Sequence, residues 1–133
     1  MNLTFQVNKP PAFIFTYLTD MQKFVSVHPV IYKIDALGDQ HYLVYERLKV
    51  GFIPYSFRYP VTIESDADKR TVIIKATVMN RVHIEMRYAI RPDGPSSIVE
   101  EEIKFRTILP VKAMMGPIFK KQHQLLFKHI DQL

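Results

Sequence analysis

Hydrophobic residues recur at every second position over most of the chain, a spacing typical of β-strands with one buried face. The alternation covers 3–7, returns at position 30, and continues near 30–37, 40–50, 53–64, 70–79, 82–91 and 97–109. Residues that favour turns, mainly Gly, Asp, Asn and Pro, separate these stretches. Because connections this short join antiparallel neighbours, the pattern predicts about seven strands in one antiparallel sheet.

Two short helices are predicted between the first and second strands. The proline pair at 10–11 suits the first turn of a helix. Thr19 and Gln22 have the spacing of a capping box. This spacing predicts a second helix that begins at Asp20 and ends before the His-Pro pair at 28–29.

The last segment, 114–133, has the period of an amphipathic helix. At about 100° per residue, its apolar side chains form one narrow stripe and most of its lysines lie opposite. Such a stripe must pack on another layer, and the sheet is the layer available. Gln122 and His123 lie at the edges of this stripe, where a purely structural helix would carry Leu or Ala. The stripe consists of Met115, Phe119, Leu126, Ile130 and Leu133, with Lys120, Lys121, Gln124, Lys128 and Asp131 opposite.

The predicted fold is therefore a single α+β domain, 1–133, with the order β-α-α-β(six)-α. A chain of 133 residues with 47% hydrophobic content fits one domain with one core. It contains no apolar run near the roughly 18 residues of a membrane span, and its start lacks a signal-peptide pattern. We therefore expect a cytoplasmic location by default.

Two predicted strands place a glutamate on an otherwise apolar face. Glu46 alternates in phase with Tyr42, Val44, Leu48 and Val50, and Glu101 with Val99, Ile103, Phe105 and Leu109. A carboxylate in such a position must be paired, hydrogen-bonded, protonated or in contact with water. A position at the sheet rim, a bulge or a plain buried ion pair would each explain it. Two such glutamates, together with Gln122 and His123, favour a solvated or ligand-filled interior.

The inward face is also rich in aromatic residues, namely Tyr42, Tyr55, Phe57, Tyr59, Tyr88 and Phe105. An apolar wall with a few hydroxyl groups suits a pocket for a flat or lipid-like ligand. It equally suits a closed core whose tyrosine hydroxyls reach the rim. The sequence leaves both interpretations open.

The sequence gives little support for a metal site, a nucleotide-binding site or a serine nucleophile. The absence of cysteine excludes disulfides, thiolate metal ligands and a cysteine nucleophile. His123 and His129 are separated by about 240° around a helix and cannot chelate one ion together. No metal, nucleotide or nucleophile-elbow motif is present, so we predict no metal and no cofactor. The serines occupy predicted loop or outer-face positions: Ser26, Ser56, Ser65, Ser96 and Ser97.

Several segments resemble the START-like (SRPBCC, polyketide cyclase/dehydrase) superfamily over essentially the full length. They are NKPPA at 8–12, DMQKF at 20–24 leading to HPV at 28–30, and the closing FKKQHQLLF at 119–127. The element order is also similar. The resemblance implies a helix-grip fold, in which a seven-stranded antiparallel sheet curves around the C-terminal helix and encloses a cavity. Members bind lipids, sterols, polyketides, quinones or plant hormones, and some catalyse cyclisation or dehydration.

The sequence and the resemblance together predict a module that binds a hydrophobic small molecule. An orienting set of Glu46, Glu101, Gln122 and His123 would hold its polar end. The remaining expected ligand-binding residues are Tyr42, Tyr55, Phe57, Met86, Tyr88, Phe105, Met115 and Phe119. The loop 51–54 and the turn 92–96 are candidate lips, and Gly116-Pro117 would let the start of the helix act as a gate.

Two alternatives stay open. A cyclase or dehydratase would use Glu46, Glu101 and His123 as acid and base. A non-enzymatic interaction protein would use the lysine face of the last helix, since the net charge of +5 permits weak affinity for nucleic acid or a membrane surface. No interleaving of arginine and aromatic residues accompanies that charge. The oligomeric state is not predicted.

Overall fold

The computed structural model describes residues 1–108, 110 and 112–133, with only the backbone of Val50 and Lys112. Seven strands and three helices follow the predicted order. The helices are α1 (Pro11–Thr19), α2 (Met21–Val27) and α3 (Lys112–Asp131). The strands are β1 (Asn2–Val7), β2 (Ile31–Gly38), β3 (His41–Val50), β4 (Ile53–Asp66), β5 (Thr71–Val78), β6 (Val82–Asp93) and β7 (Ser96–Arg106).

All seven strands join one antiparallel sheet in the order β1-β7-β6-β5-β4-β3-β2. Consecutive strands from β2 to β7 pair with each other as hairpins, and β1 closes the far edge by pairing with β7. The sheet curves around α3, which confirms the predicted helix-grip architecture. In the described part of the chain, no helix has the length and apolar character needed to cross a membrane.

The second half of α3 is buried in the concave face of the sheet. Leu126, Phe127 and Ile130 are almost completely buried. The ring of Phe127 stacks on Phe5 of β1, with 4.6 Å between the ring centroids. His129 ties α3 to α2, because its Nδ1 donates a hydrogen bond of 2.7 Å to the carbonyl of Val27. This half of the helix is thus held by both the sheet and α2.

The element ends differ from the predicted ones by a few residues. Helix α3 begins at Lys112 and ends at Asp131, so Leu133, predicted as the last residue of the buried stripe, lies beyond the helix and is exposed. Strand β7 ends at Arg106. Leu109, which the alternation assigned to that strand, and the Val50 side chain lie outside the described residues.

The capping residue of α2 is Asp20, and the prediction of Thr19 was wrong. The Asp20 carboxylate accepts hydrogen bonds from the amides of Gln22 and Lys23 at 3.1 and 3.2 Å. Thr19 is still the last residue of α1, and its hydroxyl donates to the Phe15 carbonyl at 2.8 Å. With both helices separated by one residue, only Asp20 has the extended backbone of an N-cap.

The prediction that Ser97 lies in a loop or on the outer face was also wrong, because this residue is fully buried. It has the same strand parity as Val99 and Glu101, so its side chain points inward. Its hydroxyl donates a hydrogen bond of 2.7 Å to the carbonyl of Lys9. The bond anchors the segment before α1 to the start of β7.

The β3–β4 hairpin extends past the rest of the sheet. Val61 is paired with Ala76 of β5, so the first residues of β4 have only β3 beside them. Ile53 and Tyr55 share the inward parity of Tyr59, yet both are more than half exposed. Nothing among the described residues packs over this part of the hairpin, which leaves an inward face in solvent.

Removing the Asp20 carboxylate tests the corrected cap. Asp20→Ala deprives two amide groups of their acceptor and should lower the free energy of unfolding by about 1 kcal/mol. Thr19→Ala, one residue away, keeps the Asp20 cap and should lower the free energy of unfolding by less. Urea denaturation of both variants makes the comparison. A larger loss for Thr19→Ala would contradict the assignment.

Candidate functional site

A small cavity lies between the concave face of the sheet, α2 and the middle of α3. Its volume is about 40 Å³, which is enough for one or a few water molecules. Most of its wall is aliphatic or aromatic. Six polar side chains interrupt that wall: His28, Glu46, Tyr59, Tyr88, Gln122 and His123.

Glu46 and Tyr59 form the first buried pair in this wall. They lie on neighbouring strands β3 and β4, and the Tyr59 hydroxyl donates to Oε1 of Glu46 at 2.9 Å. Burial raises the pKa of Glu46 above its ordinary value, and the hydrogen bond from Tyr59 opposes this effect. Burial also raises the pKa of Tyr59 well above 10, helped by the charge of Glu46. The carboxyl is therefore closer to neutral than an exposed glutamate would be.

Glu101 and His123 form the second pair and connect the sheet to the helix. Glu101 is 2% exposed and His123 is 3% exposed. Nδ1 of His123 lies 2.7 Å from each carboxylate oxygen, and Oε2 has no hydrogen bond of its own among the described residues. Since a carboxylate accepts hydrogen bonds, Nδ1 carries the proton. The Nε2 atom of the same ring is then left for another partner.

His28 is part of the cavity wall, although the sequence indicated only a helix end there. Its Nδ1 accepts hydrogen bonds from the amides of Val30 and Ile31, at 3.2 and 3.1 Å. The proton of the neutral ring is therefore on Nε2. Burial, followed by the charges of His123 and His129, lowers the pKa of His28 to about 3. The available signal was a histidine that follows a short helix and precedes Pro29. It was interpreted only as the end of that helix.

Gln122 and Tyr88 complete the polar part of the wall. Gln122 is only 9% exposed, and no side chain among the described residues hydrogen-bonds to its amide. The Tyr88 hydroxyl lies 3.8 Å from the sulfur of Met86. Burial raises the pKa of Tyr88 well above 10, with a further contribution from the charge of Glu101. The amide of Gln122 is thus able to form hydrogen bonds with a molecule in the cavity.

Half of the twelve expected ligand-binding residues line the cavity, and half lie elsewhere. Those in the wall are Glu46, Met86, Tyr88, Phe119, Gln122 and His123. Those outside it are Tyr42, Tyr55, Phe57, Glu101, Phe105 and Met115.

The six expected residues outside the cavity wall lie in different surroundings. Glu101 lies behind His123 and holds its ring. Phe105 packs against Phe119, with ring centroids 5.6 Å apart, and so supports the wall without forming it. Tyr55 is 52% exposed on the projecting hairpin. No residue of the two candidate lips, 51–54 and 92–96, lines the cavity.

The cavity has hydrogen-bonding groups but no metal-like cluster. Among the residues that the structure describes, no three His, Asp or Glu side chains are grouped so that they could hold a metal ion. The polar groups of the wall can bind a polar group of another molecule or exchange a proton with it. The groups suited to this are Glu46, His28 Nε2 and His123 Nε2. The apolar remainder of the wall would surround the rest of a bound molecule.

Comparison with known proteins gives one family and a common fold. The sequence profile of the CoxG family, which is described as a subunit of carbon monoxide dehydrogenase, matches residues 4–112. No protein with a curated description matches the sequence.

Several solved structures share the fold at low identity. A START superfamily protein from Mycobacterium smegmatis is 16% identical with a TM-score of 0.80, over 99% of this chain and 97% of that one. The Zhui aromatase/cyclase from Streptomyces sp. R1128 is 11% identical with a TM-score of 0.71, over 98% and 89%. A conserved protein from Geobacillus kaustophilus is 11% identical with a TM-score of 0.80, over 98% and 91%.

The lowered pKa of His28 predicts acid sensitivity. Between pH 6.5 and about 3 the unfolded chain binds a proton at this residue and the folded chain does not. The stabilisation that comes from the neutral His28 ring is therefore complete above pH 6.5. As the pH falls, the free energy of unfolding decreases by about 1 kcal/mol per pH unit. His28→Asn keeps an acceptor for the two amides and removes the titration. In urea denaturation, wild type should lose stability relative to His28→Asn from pH 6.5 to 4. A constant difference would contradict the lowered pKa.

Proposed function

The chain belongs to the CoxG family of carbon monoxide dehydrogenase subunits, and from this premise we propose that it binds a hydrophobic small molecule with a polar end. The molecule would lie between the sheet and α3. The observation that carries the proposal is the amide of Gln122, a residue that is 9% exposed, lines the cavity and has no side-chain hydrogen bond among the described residues. A polar group in a mostly apolar wall is retained where water or a ligand satisfies its hydrogen bonds.

The neighbouring groups support the same conclusion. Nε2 of His28 is a donor because Nδ1 already accepts two hydrogen bonds. Nε2 of His123 is available because Nδ1 is bound to Glu101. His28, His123 and Gln122 line one cavity whose other walls are mostly apolar. This combination suits a ligand with one polar end and an apolar body.

A ligand would require the cavity to expand, because ligand pockets usually measure about 300–1,000 Å³ and this one measures about 40 Å³. The first half of α3 is the element best suited to move. Its inward residues Met115 and Phe119 are only partly buried, in contrast to Leu126 and Ile130 further along. Pro117 lies inside the helix and cannot donate to the preceding turn. We propose that this half moves outward when a ligand enters.

The family name and the relatives suggest settings for such a protein. The family is described as a subunit of carbon monoxide dehydrogenase, so a larger enzyme would be one recipient of a bound molecule. One structural relative is named an aromatase/cyclase, and an aromatic ring is an apolar, flat group. Both settings are compatible with an apolar cavity that contains a few polar groups.

Native mass spectrometry after gentle purification tests ligand binding. Wild type should carry a co-purifying molecule. Val44→Phe should lose it, because Val44 is buried in the cavity wall and the larger ring fills the space. Overpacking costs about 1–3 kcal/mol, so the fold of the variant is checked by circular dichroism. Leu37→Phe, on an exposed strand position, should behave as wild type. Absence of ligand from repeated wild-type preparations would contradict the proposal.

Acid–base catalysis is a second candidate function, favoured by the bond between His123 and Glu101. Nδ1 donates to a buried carboxylate, an arrangement that fixes the ring tautomer and leaves Nε2 to accept a proton. Glu46, whose pKa is raised by burial, could act as the complementary acid. Both carboxylates lie inside the protein rather than in bulk solvent.

His123→Asn separates catalysis from binding. The amide of asparagine can still donate to Glu101, but the variant has no counterpart of Nε2. If the protein is an enzyme, a ligand extracted from this variant should differ in mass or isomeric form from the ligand of wild type. Identical extracts from both proteins would restrict the function to binding.

A further inference from the structure

One edge of the sheet is formed by β2, which has β3 on one side and no described strand on the other. A strand in this position carries a row of backbone amide and carbonyl groups that another strand can pair with. Tyr32 and Lys33 are exposed, and so are residues 36–40. The described part of the chain therefore leaves most of this edge open to a partner.

Two irregularities bound a regular stretch in the middle of β2. The register with β3 is unbroken over Lys33–Ala36 and shifts on either side of it. Tyr32 and Leu37 are the residues that the shifts leave without a direct partner on β3. Bulges bend an edge strand and limit the length over which it can pair. A partner strand would thus meet a short regular stretch and not a long flat edge.

The charges of this stretch are complementary to themselves. Ile34 lines the cavity, so its neighbours Lys33 and Asp35 point to the outer face of the sheet. They form an exposed ion pair, with 3.7 Å between the lysine Nζ and a carboxylate oxygen. If a second β2 pairs antiparallel with Ile34 opposite Ile34, each Lys33 faces the Asp35 of the other copy. Opposite charges in facing positions stabilise a strand pair by about 0.2–1 kcal/mol.

The same charges disfavour the neighbouring registers. Because facing side chains must lie on the same side of the sheet, the other symmetric registers nearest to this one are centred on Lys33 or on Asp35. The first places Lys33 opposite Lys33, and the second places Asp35 opposite Asp35. Like charges in facing positions are destabilising. The charge pattern therefore favours the register centred on Ile34.

The exposed apolar side chains of β2 flank the same stretch. Tyr32 is 45% exposed and Leu37 is 60% exposed. In the register centred on Ile34, Tyr32 of one copy lies beside the small side chain of Ala36 of the other, next to Leu37. Pairing would remove part of both large side chains from water, which is favourable.

The opposite edge strand, β1, lacks these features. It contains no charged side chain that could select a register, and none of the exposed large hydrophobic residues lies on it. Its Phe5 is stacked on Phe127 of α3. Of the two edges, β2 is the one suited to recognise a second copy in one register.

We infer that two copies of this chain associate through β2 into a symmetric dimer, with Ile34 of one copy beside Ile34 of the other. The two sheets join edge to edge. The contact uses the same strand of both copies, so it closes as a dimer and does not continue into a fibre. Pairing of one short strand belongs to the small interfaces, below about 1,200 Å², that are weak or transient. We therefore expect a dissociation constant in the micromolar range.

Charge reversal on β2 tests the dimer by sedimentation velocity over a range of concentrations. Wild type should change from monomer to dimer as the concentration rises. Lys33→Asp and Asp35→Lys should each weaken association by about tenfold or more, because each turns two attractive contacts of the dimer into repulsive ones. An equimolar mixture of the two variants should dimerise again, since the acidic strand of one variant then faces the basic strand of the other.

A second ion pair with the same spacing provides the control. Lys104 and Glu102 lie two residues apart on β7, with 3.2 Å between Nζ and the carboxylate, and both are exposed. Strand β7 is paired on both sides, with β1 and β6, so it has no free edge. Glu102→Lys and Lys104→Glu should therefore dimerise as wild type does. Thermal denaturation of every variant checks that the fold is retained.

The mixture of variants separates pairing in this register from any general effect of charge. Recovery of the dimer in the mixture, together with unchanged dimers of the β7 variants, supports the inference. Any one of three results would overturn it. These are a wild type that stays monomeric at its highest soluble concentration, β2 variants that dimerise as wild type does, and a mixture that remains monomeric.

Discussion

The structure depends on one constraint, the burial of the second half of α3 against the concave face of the sheet. Leu126, Phe127 and Ile130 are removed from water almost completely, and each contributes roughly 1.5–3 kcal/mol of hydrophobic stabilisation. The apolar inner face of a curved sheet must be covered by another layer, and α3 covers it together with α1 and α2. The hydrogen bond between His123 and Glu101 then fixes the rotation of the helix, since a buried carboxylate without its partner would be strongly unfavourable.

The same burial determines the chemistry of the cavity. It raises the pKa of Glu46 and lowers the pKa of His28, and both shifts favour the neutral form of the group. His28 therefore contributes a hydrogen-bond donor rather than a charge. The two buried pairs, Glu46 with Tyr59 and Glu101 with His123, satisfy part of the polar surface and leave a few groups open to the cavity.

The first half of α3 connects the cavity with exposed apolar side chains. Phe119 is part of the cavity wall, and Met114 and Ile118, which precede it on the helix, are exposed. This half is less buried than the second and contains Pro117. A movement of it would open the cavity and displace these exposed side chains together, because they lie on the same turns of the helix.

The sequence alone determined the fold class and much of the candidate site. Alternation with short turns permits only an antiparallel meander, and the helical stripe at the chain end requires a sheet beneath it. The phase of the alternation also placed Glu46 and Glu101 inside, because a side chain's face depends only on its parity along the strand. Gln122 and His123 were identified by the corresponding helical periodicity, which placed them at the edges of the apolar stripe.

Only the tertiary structure decided which of these residues meet. Glu101 and His123 are far enough apart along the chain that no local pattern pairs them, and His28 joins the cavity because α2 packs beside α3. Tyr55 has an inward parity and is nevertheless exposed, since the β3–β4 hairpin continues past the neighbouring strand β5 to where no described element packs over its inward face. Local periodicity specifies the direction of a side chain, whereas its neighbours depend on how the elements pack in three dimensions.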